Sequence, residues 1–199
     1  MKNCKTFYIL FLVLVFFSST QAAEKKVELV SPNKEIKVSL RITDKIYYSI
    51  SYNGDVILKD NYLRLTLRDE MLGENPKLSG QKFSDADEML SPVIPLKFST
   101  VRNHYNQLRM DFKGNYSVEF RAYDDGIAYR FLTNKKGDIE VMNEDLAINF
   151  PAPYLLHMQQ PGSFKTAYEE NYTHVNSNEW TPEDKKAVLP LLIDTRKQY

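Results

Sequence analysis

Cysteine is all but missing from this sequence: among 199 residues only Cys4 carries a thiol. It precedes an apolar run, whereas a lipidated cysteine follows one, so lipid anchoring has no support and no disulfide is available to hold the fold. Histidine is scarce as well. His104, His157 and His174 show no spacing that puts two of them on one face of an element, and without thiols to join them a zinc site has little basis. There is no glycine-rich phosphate loop and no serine in a nucleophile-elbow pattern. Net charge is missing too, with 26 Lys and Arg against 26 Asp and Glu. No basic stripe stands out, which argues against nucleic acid as a partner.

A long apolar run occurs once. Met1, Lys2 and Lys5 lead into an apolar stretch from Phe7 to Phe17, followed by Ser18-Ser19-Thr20-Gln21-Ala22-Ala23. This is the pattern of a secretory signal peptide, residues 1–22, cleaved after Ala22. The run is about half of the roughly 20 residues that a bilayer-spanning helix needs, so no membrane association is expected after cleavage. The expected location is periplasmic or secreted. Residues 23–199 are long enough for one domain that buries a core without cross-links.

Aromatics are plentiful, at 13% with thirteen Tyr and eleven Phe. They concentrate in alternating runs, and nothing between residues 24 and 160 has the period of a helix. Val27–Val30, Glu35–Ile42, Lys45–Tyr52, Val56–Leu58 and Tyr62–Leu67 read as an antiparallel meander, with Asn53-Gly54 as a tight turn. The segment from Arg68 to Pro92 is charged and aperiodic and reads as a long exposed connection. Its Asp85, Asp87 and Glu88 lack the ligand spacing of a calcium loop. Strands are expected again at Pro95–Arg102 and Gln107–Phe112. Next comes a hairpin, Val118–Leu132, about Asp125-Gly126, in which a type I′ turn sets Phe120 opposite Phe131 and Arg121 opposite Arg130. That register is strained by like charge unless Glu119 intervenes, and the aromatic face needs a second sheet to cover it. Ala147–Phe150 and Leu189–Ile193 complete the strands, the latter at an edge because of Pro190. The chain stops at Tyr199, a handful of residues past that strand, and reads as cut short. The sequons at Asn115 and Asn171 are of a kind that arises by chance.

One segment combines carboxylates with aromatics: Thr166-Ala167-Tyr168-Glu169-Glu170-Asn171-Tyr172-Thr173. Its two acidic groups suit a hard cation or sugar hydroxyls, although neighbouring side chains in an extended segment point to opposite faces. By composition alone it is a solvated loop.

Several phrases in order, Leu29-Val30-Ser31-Pro32-Asn33, Arg102-Asn103-His104-Tyr105-Asn106-Gln107-Leu108, the hairpin, and Tyr168-Glu169 with Tyr172-Thr173, make the chain from about Val27 onward resemble the N-terminal domain of glycoside hydrolase family 97. The resemblance implies an all-β, antiparallel two-sheet β-super-sandwich akin to the galactose mutarotase fold, truncated before a catalytic (β/α)8 barrel. It further implies a calcium-dependent α-glucosidase or α-galactosidase of polysaccharide degradation, acting on α-linked oligosaccharides. The catalytic carboxylates belong to the barrel, so no catalytic residue transfers and this chain alone is expected to be inactive. What transfers is one calcium ligand, Glu169, with Glu170 as its fallback, completing a shell shared with the barrel in cis. Two other readings remain: a freestanding carbohydrate-binding β-domain, and a mutarotase-like epimerase, which lacks a recognisable histidine pair with a carboxylate base.

Overall fold

A computed structural model describes residues 25–95, 97–163, 165–181 and 186–196. The expected signal peptide lies outside the described residues. The antiparallel meander forms: β1 (Lys25–Val30), β2 (Ile36–Ile42), β3 (Ile46–Tyr52) and β4 (Asp55–Leu67) pair in sequence order, with the expected Val56–Leu58 and Tyr62–Leu67 strands joined into the single β4, and the two-residue β5 (Met71–Leu72) adds to β4. A second sheet runs β6 (Leu78–Leu90), β7 (Val101–Phe112), β8 (Tyr116–Tyr123) and β9 (Ile127–Thr133), also in order. The chain then returns to the first sheet with β10 (Val141–Leu146), on β4. Beside this two-sheet sandwich stands a three-stranded sheet, β11 (Leu155–Gln159), β12 (Tyr172–Asn176) and β13 (Leu192–Asp194), with β11 in the centre. All pairings are antiparallel, and the described residues contain no helix.

Alternation builds the core. Ile36, Val38, Leu40 and Ile42 on β2 and Ile46, Tyr48 and Ile50 on β3 are buried, while their neighbours face outward. Leu108, Met110 and Phe112 on β7 and Val118, Phe120 and Ala122 on β8 supply the opposing face, which is the sheet-on-sheet arrangement an aromatic hairpin face requires. Phe120 and Tyr48 meet with ring centroids 5.8 Å apart. Burial pushes the Tyr48 phenol up to about 12. Asn53 and Gly54 both have positive φ, 48° and 89°, as the two-residue hairpin between β3 and β4 demands. Gly73 is fixed by geometry: its φ is +90°, and an added Cβ would stand 2.6 Å from the Leu63 carbonyl oxygen. Its amide donates to the Tyr116 hydroxyl, 3.2 Å away, tying β5 to the second sheet.

The hairpin exists, but its register differs from the sequence reading. The turn spans Tyr123–Gly126, closed by the Tyr123 amide on the Gly126 carbonyl at 2.8 Å, and neither Asp125 nor Gly126 has positive φ. Phe120 therefore faces Tyr129, Val118 faces Phe131, and Arg130 sits opposite Glu119 rather than Arg121. This register preserves which side chains face inward, so the apolar face survives. It also exchanges a repulsive pair for an ion pair, with Arg130 Nη2 2.6 Å from the buried Glu119 carboxylate.

The segment from Arg68 to Pro92 is not one long connection, because it contains β6. This strand shows no hydrophobic period because it is exposed along most of its length. Ladder bonds to β7 hold it, together with polar contacts such as the two-pronged Arg102–Asp87 pair, both contacts at 2.7 Å, and Asn103 donating to Glu88 at 2.8 Å. Asp85, Asp87 and Glu88 are thus strand residues, not a metal loop. Conversely, of the stretch Pro95–Arg102 only Val101 and Arg102 join a strand, β7, among the described residues, and Ala147–Phe150 is not a strand, since β10 ends just before it.

Candidate functional site

The side sheet carries the acidic loop. β11 alternates as a strand should, with Leu156 and Met158 buried and His157 and Gln159 on the other face. Residues 160–171 connect it to β12. The loop is pinned where it rejoins the sheet: Gln159 Nε2 donates to the Glu170 carbonyl oxygen at 2.8 Å, and Thr173 Oγ1 donates to Gln160 Oε1 at 3.0 Å. Tyr168 has a φ of 59°, so the chain bends just before the two carboxylates. Glu169 and Glu170 are both exposed. The structure brings them to the end of β12 with no third His, Cys, Asp or Glu close enough to complete a metal-holding group among the described residues. As donors they are hard oxygens, which suits calcium, but they form only part of the six to eight oxygen shell that calcium takes.

A groove of about 340 Å³ lies against this loop, between Pro161–Ser163, Tyr168 and Lys186–Val188. A larger one, about 590 Å³, opens at the far end of β11, lined by Phe150, Leu156, Trp180 and Leu191 among others. It contains no carboxylate and no histidine, so it carries no acid–base or metal chemistry.

Two residues that looked scattered in the sequence meet. His157 and His174 are directly opposed across β11 and β12, with Nδ1 atoms 2.7 Å apart and ring centroids 4.7 Å apart. Their spacing of 17 residues does not join them; only the pairing of β11 with β12 does. The usable signal was the alternation of Leu156 and Met158 with His157 and Gln159. No carboxylate completes a grouping with the pair among the described residues, so the epimerase reading still lacks its base.

Three of the four phrases that carried the resemblance meet at one corner of the sandwich, while Tyr168-Glu169 and Tyr172-Thr173 belong to the side sheet and its loop. The Asn33 amide donates to Asp124 Oδ1 at 2.8 Å, and Asn106 Nδ2 donates to the Val30 carbonyl at 2.9 Å. His104 lies 3.6 Å from Asp124. The Asn33 and Asn106 bonds lock β1 and its turn onto the second sheet, so their role here is to build the fold.

The geometry defines an antiparallel β-sandwich domain with an exposed acidic loop on a side sheet, and such a fold sets no activity by itself. The family profile described as glycosyl-hydrolase 97 N-terminal matches residues 29–199. The chain belongs to glycoside hydrolase family 97, as its N-terminal domain. It is 34% identical over 193 residues to a retaining alpha-galactosidase of Bacteroides thetaiotaomicron, a match covering 92% of this chain and 29% of that protein. A crystal structure of a beta-arabinopyranosidase aligns with a TM-score of 0.65 at 25% identity, over 75% of this chain and 26% of that one. A family 97 enzyme from Pseudoalteromonas sp. strain K8, in complex with acarbose, aligns with a TM-score of 0.61 at 18% identity, over 75% of this chain and 24% of that one, and shows the shared fold. This chain thus spans roughly a quarter of the length of the relatives it matches.

Proposed function

We propose that this chain is the substrate-site-completing N-terminal domain of a secreted or periplasmic α-glycoside hydrolase of the α-galactosidase or α-glucosidase type. The identity to a retaining alpha-galactosidase supports the substrate class. The observation that carries the reading is the placement of Glu169 and Glu170: exposed on a pinned loop beyond a bend at Tyr168, with no partner set of their own. In this reading the exposed carboxylate serves an ion whose remaining ligands come from another domain. Glu169 is the proposed calcium ligand and Glu170 the fallback, and the barrel in cis supplies the other oxygens. Calcium, when bound, polarises and positions sugar oxygens. The residues of this chain contribute one carboxylate, a loop fixed by Gln159 and Thr173, and a groove beside Tyr168.

Hydrolysis needs two carboxyl groups placed on either side of the glycosidic bond, and in this reading both lie outside the chain. The purified 199-residue chain should therefore release no aglycone from chromogenic α-galactosides or α-glucosides. In a protein that includes the barrel, Glu169→Gln should weaken calcium binding and turnover together, and excess calcium should restore part of the rate. Glu170→Gln should change neither by more than about twofold, since adjacent extended residues face opposite ways. Equal behaviour of the two variants, or unchanged calcium dependence in Glu169→Gln, would reject the assignment. Sugar binding by this chain alone, without any calcium effect, would instead favour a freestanding carbohydrate-binding domain.

A further inference from the structure

The His157–His174 pair belongs to no part of the function above. We propose that it is a two-nitrogen chelating site for a divalent transition-metal ion that prefers right-angled coordination, such as Cu²⁺ or Ni²⁺. Both imidazoles stand on the outward face of the side sheet, and strand pairing places them directly opposite each other. Backbone ladder bonds on both sides of the pair set the spacing, so a metal meets two ligands already in register and little ordering is needed on binding.

Coordination geometry and the affinity order of nitrogen sites, highest for Cu²⁺, separate the candidate metals. Imidazole nitrogens bind at about 2.0–2.1 Å, so two of them at right angles around one ion lie about 2.9 Å apart, whereas a tetrahedral ion needs about 3.3 Å. The observed Nδ1 separation of 2.7 Å is that of the hydrogen-bonded, metal-free pair and lies nearer the right-angled than the tetrahedral spacing. In the metal-free pair one Nδ1–H donates to the other Nδ1. Metal binding replaces that hydrogen bond, and the displaced proton is compensated by solvent protonation of Nε2 on the same ring. The neutral dyad therefore takes the ion with no net proton release. Water fills the remaining positions, because no further His, Cys, Asp or Glu completes a group here among the described residues. Calcium is not a competitor, since it takes oxygen ligands.

The test uses the mature, untagged chain and the metals alone. Titration calorimetry should find one Cu²⁺ per chain, with Ni²⁺ also binding more tightly than Zn²⁺. His157→Gln and His174→Gln should each weaken Cu²⁺ binding at least tenfold, with His104→Gln unchanged and circular dichroism matched across all three. Cu²⁺ electron paramagnetic resonance of the wild type should show two coordinated nitrogens, a readout that needs no variant to fold. Binding retained in both histidine variants, a spectrum with fewer than two nitrogens, or Zn²⁺ binding more tightly than Ni²⁺ would overturn the proposal.

Discussion

The sandwich and the side sheet are made of the same kind of strand but solve different problems. In the sandwich two apolar faces close on each other, and Val38, Ile46, Leu63, Leu108, Met110, Val118 and Phe120 lose essentially all contact with water. The side sheet buries only Leu156 and Met158, neither of which joins the main cluster, and its other face presents histidines and an acidic loop. A region that shares a large buried core is held firmly by its own packing. The side sheet, with two buried side chains, contributes less to holding itself in place, and its exposed face carries the histidines and the acidic loop.

The sharpest way to break this contrast is in the sandwich. Phe120→Ala should cost about 3–5 kcal/mol by opening a cavity against Tyr48, read as a large drop in the urea midpoint. If it cost less than about 1 kcal/mol, the two sheets would not share one core. Met158→Ala is the matching change in the side sheet. It should raise hydrogen exchange across residues 155–159 and 172–176 while leaving the main unfolding midpoint nearly in place; a shift as large as that of Phe120→Ala would show that the two regions unfold as one. Gly73→Ala should cost about 1–3 kcal/mol, because alanine at a φ of +90° is strained and meets the Leu63 carbonyl.

A smaller effect is set by pH. Tyr48 is held neutral up to about 12 by burial, while in the unfolded chain it ionises near pH 10. Its contribution is complete below pH 10 and is lost as pH rises from there through 12, on the order of 2 kcal/mol. Tyr48→Phe should lose that part of the alkaline slope, measured as the difference in urea midpoints between pH 9 and pH 11.5. The smallest expected effect is that of Asp87→Asn, which removes an exposed pairing with Arg102; surface pairs of this kind seldom move a midpoint.

The contrast also explains what the sequence disclosed. Where a strand buries one face, as at Ile36–Ile42 and Ile46–Tyr52, alternation is imposed by the core and can be read directly. β6 escaped because neither of its faces is covered through most of its length, so no pattern was required of Leu78–Leu90. The hairpin was recognised but its register was not, because the choice turned on whether Arg130 met Arg121 or Glu119, a matter of pairing rather than of pattern. The acidic loop was found as a segment rich in carboxylates and tyrosines, and family resemblance alone singled out Glu169. The histidine pair is hidden for a different reason: alternation marks β11, but residues 17 apart are brought together only by its pairing with β12, whose residues carry no such alternation.

The β6–β7 ribbon has a practical corollary. Its two strands are joined only at the tip, where Val93 and Ile94 stand in solvent, yet they are paired from Leu78 with Phe112 to Leu90 with Val101. A protease cut at that tip would sever the chain without releasing either piece, because each strand would still be zipped to its partner. The sandwich can therefore be treated as two complementing fragments that meet at this ladder, and a genetically split version expressed from two reading frames should reassemble into the same domain.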